Sequence, residues 1–105
     1  MKSDNSKNNL SQDNLVWTYL LNKYICEFIR NEWFDPDLSN NDLAKFFDVH
    51  FSIIAKIKSG ENYNMPIYTL SKICYYKEMK MSDFFILLER QYGSKLYEDF
   101  YPQNE

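Results

Sequence analysis

The chain has 105 residues, 45% of them hydrophobic and 18% aromatic, and a formal net charge of −3. That content supports one buried core without metal or disulfide help, and it excludes disorder over most of the length. With only two glycines and three prolines, turn-rich sandwiches and barrels give way to helices joined by short loops.

Residues 1–12, rich in Ser, Asn, Asp and Lys, read as a flexible polar arm. A first helix is expected from about Asp13 to Trp33, capped by Asp13 or Asn14, with Val16, Leu20, Tyr24, Cys26, Phe28 and Ile29 at helical spacing. Asp35-Pro36-Asp37 ends it, because a residue before proline is pushed out of the helical region. Ser39 followed by Asp42 is a capping-box variant that opens a second helix through Phe47. Asp48 then occupies a tight turn, a place where Asp tolerates the left-handed backbone better than most residues. A third helix runs from Phe51 to Ser59 and stops at Gly60.

Glu61–Met65 is a polar loop, and Pro66 sits at the first position of a fourth helix carrying Ile67, Leu70, Ile73 and Cys74. Ser82 is the expected N-cap of a fifth helix with Phe84, Phe85, Leu87 and Leu88. Gly93 ends or weakens that helix before Leu96, Tyr97, Phe100 and Tyr101. Phe46, Phe47, Phe51, Phe84 and Phe85 are assigned to the core, with Phe51 nearest its exposed end. The expected organisation is an arm over 1–12, an all-α domain over 13–92 and a C-terminal extension over 93–105 available for dimerisation.

Charge is unevenly spread. Between Ser39 and Lys80 six lysines face four carboxylates, whereas after Lys80 five carboxylates face two cations. The central segment therefore suits phosphate better than the acidic total suggests. Cys26 and Cys74 lie in apolar helical patterns and read as buried free thiols. One histidine and two scattered cysteines offer no metal set, and no paired carboxylates, triad or phosphate loop supports an enzyme. Met1–Asn14 lacks the apolar stretch of a secretory leader, so a cytoplasmic location is expected, with no membrane span.

The second and third helices, Leu38–Gly60, spell two short amphipathic helices around a tight turn, a device that presents a helix to the DNA major groove. Leu38-Ser39, Leu43-Ala44, Asp48-Val49, Ile54, Ile57 and Ser59-Gly60 occur in order here. Pro66, Leu70, Ile73 and the run Lys80-Met81-Ser82-Asp83-Phe84-Phe85 follow. Over roughly Tyr24 to Leu88 this set resembles the phage-repressor-like (Cro/XRE-type) helix-turn-helix regulators.

The resemblance implies a five-helix lambda-repressor-like DNA-binding domain with its helix-turn-helix at about 39–60 and an extended C-terminal helix. It implies a sequence-specific, repressor-like transcriptional regulator acting on double-stranded DNA as a homodimer, without cofactor, metal or small-molecule substrate. Phe51, Ser52, Ala55 and Lys56 would face base edges, Asn40 and Ser59 would meet phosphates, and Lys58 adds a further phosphate contact. Asp48 stands where the family favours Gly, and His50 where Ser or Thr usually caps. The alternative is a protein-interaction module on the same scaffold that has lost DNA binding.

Overall fold

The structure, a computed structural model, describes residues 20–60 and 63–98. All of its regular elements there are helical, with no strand among the described residues. Helix α1 covers residues 20–28 and widens into a π turn at Ile29–Trp33. It is followed by α2 (Asn40–Phe47), α3 (Phe51–Ser59), α4 (Ile67–Tyr76), α5 (Met81–Tyr92) and a 3-10 segment, Gly93–Tyr97. The expected arm, the Asp13 or Asn14 cap, Val16, Glu61, Phe100 and Tyr101 lie outside the described residues.

The core is built by one stripe from each helix. Phe28 and Ile29 of α1 and its π turn, Leu43 and Phe47 of α2, Ile54 and Ile57 of α3, Leu70 and Ile73 of α4, and Phe84 and Leu88 of α5 are all buried. Phe84 is the hub of an aromatic group, its ring 5.5 Å from Phe28 and 5.3 Å from Trp33. No polar or charged residue is buried among those described, as expected of a small core that cannot supply partners for stranded polar groups.

Several ends follow the sequence. Phe34 N–H donates to Ile29 O at 3.1 Å, closing the π turn. The Asp35 carboxylate then accepts from Asp37 N at 2.9 Å, a local turn that stops the chain from continuing as helix. Ser39 Oγ accepts from Asp42 N at 3.1 Å and caps α2. Gly60 closes α3 at φ 70°, its N–H bonded to Lys56 O. The C-terminal end of α3 is also tied to α1, because Arg30 Nη1 donates to Ile57 O at 3.1 Å.

Four expectations are corrected. Phe46 and Phe51 are not core: they are 51% and 52% exposed. On α2 the inward line is Leu43, Ala44 and Phe47, so the neighbouring Phe46 is turned outward and packs edge-on against Phe47 at 4.8 Å. Ser82 does not cap α5; Lys80 does, because its carbonyl already accepts from Phe84 N at 3.0 Å. Pro66 is likewise the residue before α4 rather than its first.

Nor does α5 extend as a continuous helix. Gly93 takes φ 60°, ψ −139°, and the chain turns back so that Leu96 is fully buried. Tyr97 Oη donates to Glu89 at 2.8 Å. The described part of the C-terminal extension is thus used within the chain.

Cys26 and Cys74 are free and buried. Burial pushes both thiols up to about 11, Arg30 offsetting a little of the rise at Cys26. A raised thiol pKa leaves the reactive thiolate scarce. Both cysteines should therefore resist a thiol-titrating disulfide reagent at mildly alkaline pH and react promptly once denaturant is added. Fast reaction of the native protein would contradict this burial.

Candidate nucleic-acid interface

Helix α3 is amphipathic by construction. Ile54 and Ile57 point into the core and Ile53 is half-buried. The opposite side carries Phe51, Ala55, Lys56, Lys58 and Ser59, all exposed, with Ser52 half-buried beside them. The structure thus brings six of the seven candidate residues onto one helix. Asn40 is apart from them, half-buried in the first turn of α2, where Asp42 places a carboxylate in the same turn.

The turn that aims α3 is built from Asp48, Val49 and His50. Val49 N–H reaches back to Ala44 O at 3.0 Å and Asp48 N–H to Lys45 O at 3.3 Å, with Asp48 at φ 56°, ψ 48°. This is a helix C-terminus whose left-handed position usually carries glycine. Here Lys72 of α4 holds it instead, donating to Asp48 O at 2.6 Å and pairing with the Asp48 carboxylate at 3.1 Å. The hydrogen bond to Asp48, with the negative charge beside it, raises the Lys72 ammonium above its ordinary value. Asp48→Gly removes left-handed strain and the ion pair together and should leave stability nearly unchanged. Asp48→Val, which cannot relax at positive φ, should cost about 1–3 kcal/mol in a urea titration.

His50 replaces the usual Ser or Thr cap by an unanticipated route. Its Nδ1 accepts from Ser52 N at 3.1 Å and lies 2.9 Å from Ser52 Oγ, while the ring rests 4.8 Å from Phe51. Ser59 Oγ donates to Lys56 O at 3.0 Å, and Lys56 Nζ lies 5.6 Å from the centre of the Tyr63 ring.

A shallow depression beside the turn is lined by Asn41, Ala44, Lys45, Asp48, Val49, His50 and Phe51. It reveals Lys45 as a basic residue of this surface that the motif alone did not single out. Its signal was present, since Lys45 directly follows buried Ala44. Only the packing of α2 on α3 shows that it borders Phe51. With Asp48 held by Lys72, the cations Lys45, Lys56 and Lys58 dominate this side, and α3 itself carries no carboxylate.

Among the described residues no group of His, Cys, Asp and Glu is placed to hold a metal, and no helix is long and apolar enough to cross a membrane. No protein-family model, no curated protein and no solved structure matches the chain.

Proposed function

We propose that the chain is a sequence-specific DNA-binding transcriptional regulator of the lambda-repressor-like helix-turn-helix type, with α3 as its recognition helix. The observation that carries this reading is the outward face of α3. It offers Lys56, Lys58, Ser52 and Ser59 without a carboxylate, on a helix held by a three-residue turn against α2. Lysines on such a face meet phosphates or guanine edges, and Phe51 and Ala55 suit the thymine methyl. The protein works without cofactor or catalysis, as a homodimer whose recognition helices enter successive major grooves about 34 Å apart.

Selection from a random duplex library at low ionic strength tests this directly. The expected result is a two-fold symmetric preferred site whose affinity falls steeply with salt. Failure to enrich any sequence, and no shift of duplex DNA at low salt, would overturn it.

A second reading is favoured by one specific observation. Phe46 lies 6.5 Å from Tyr76, which stacks edge-on with Tyr75, and all three are exposed. Exposed aromatic clusters mark protein contacts, so the scaffold would then dock a protein through Phe51 or this cluster. Nuclease-insensitive capture of one protein, lost on Phe51→Ser with no DNA binding by the wild type, would favour it.

A further inference from the structure

We propose that His50 and Ser52 act as one reading unit that selects adenine in the major groove, with the imidazole Nε2–H donating and the Ser52 hydroxyl oxygen accepting. The proposal rests on the DNA-binding reading of α3 and adds a specificity that the motif does not contain.

The ring's tautomer follows from its partners. The Ser52 backbone amide, 3.1 Å from His50 Nδ1, can only donate. Nδ1 therefore carries the lone pair, and the neutral ring's proton sits on Nε2. Ser52 Oγ is 2.9 Å from that same lone pair and donates its hydroxyl hydrogen to it. Its oxygen is left with acceptor capacity alone. The Phe51 ring, 4.8 Å away and tilted by 31°, restricts rotation of the imidazole. His50 is exposed, and no other residue among those described engages Nε2.

A fixed donor beside a fixed acceptor discriminates among bases. Adenine presents an acceptor, N7, next to a donor, the N6 amino group. Guanine presents two acceptors, N7 and O6, so the Ser52 oxygen would face another lone pair. Thymine offers O4 without an adjacent donor, and cytosine offers a donor without an adjacent acceptor. Only adenine satisfies both atoms at once.

The test uses the full chain and the duplex recovered by selection, with each adenine replaced in turn by an analogue carrying carbon at the N7 position. At one adenine per half-site this replacement should weaken wild-type binding about fivefold, the worth of one hydrogen bond. His50→Ser keeps a hydroxyl able to cap Ser52 N–H, so its melting temperature should stay near that of the wild type. It should bind the natural and substituted duplexes equally well. Ser52→Ala should lose the preference for adenine over guanine at the same position. If no adenine N7 matters to the wild type, or His50→Ser suffers the same loss as the wild type, the His50 assignment is overturned while α3 remains a recognition helix. If the wild type selects no duplex, the DNA-binding reading fails and this assignment with it.

Discussion

Phe47→Ala is expected to remove about 3–5 kcal/mol of folding stability, enough to leave much of the population unfolded at physiological temperature. Phe47 is fully buried at the end of α2, its ring 5.7 Å from Phe34 and 4.8 Å from Phe46. It lies where α2, the extended residue after α1 and the core meet, so truncation leaves a cavity that three separately anchored segments cannot close. A domain of this size is stable by only about 5–15 kcal/mol, so one such cavity is a large share of the total. The adjacent Phe46→Ala should cost much less, because half of its surface already faces water. Urea denaturation of the two variants measures the contrast. Equal losses would mean that α2 is rotated from the orientation described here.

That contrast marks where periodicity stops being informative. Phe46 and Phe47 are equally hydrophobic neighbours, and the pattern Leu43, Ala44, Phe47 is only one of two stripes that a short helix can offer. Helix ends were more legible, because each depends on local chemistry. Ser39 accepts from Asp42 N, Asp48 takes the left-handed turn and Gly60 the left-handed stop. The exceptions all involve distant partners. Lys72, 24 residues away from Asp48, steadies the turn that a glycine would otherwise make.

The start of α5 is set the same way. Glu78 takes φ 56° and Met79 N–H returns to Cys74 O at 2.9 Å, so the chain leaves α4 already aimed into the next helix. Lys80 rather than Ser82 then occupies the capping position. The π turn at Ile29–Trp33 and the break at Gly93 serve packing as well, seating Phe34 and Leu96 in the core. For the candidate site the same division holds. Sequence spacing put the outward residues on one face of α3, whereas the lining of the depression by Lys45 and the locked His50 ring are products of the fold.

Replacing Lys56 and Lys58 together by Gln should lower DNA affinity at least about tenfold near physiological salt. It should also flatten the plot of log affinity against log salt by roughly two for each protomer. Glutamine keeps most of each aliphatic stem, so the variant isolates charge from packing. Both lysines lie in the last turn of α3, exposed, where positive charge also favours the helix dipole. Losing that interaction should cost no more than about 1 kcal/mol, leaving the fold intact. Lys72→Gln is the informative companion. Its ammonium is already committed to Asp48, so it should change stability more than the salt slope. If the Lys56, Lys58 variant binds with unchanged salt dependence, phosphates are being met elsewhere on the molecule and α3 is not the face that enters the groove.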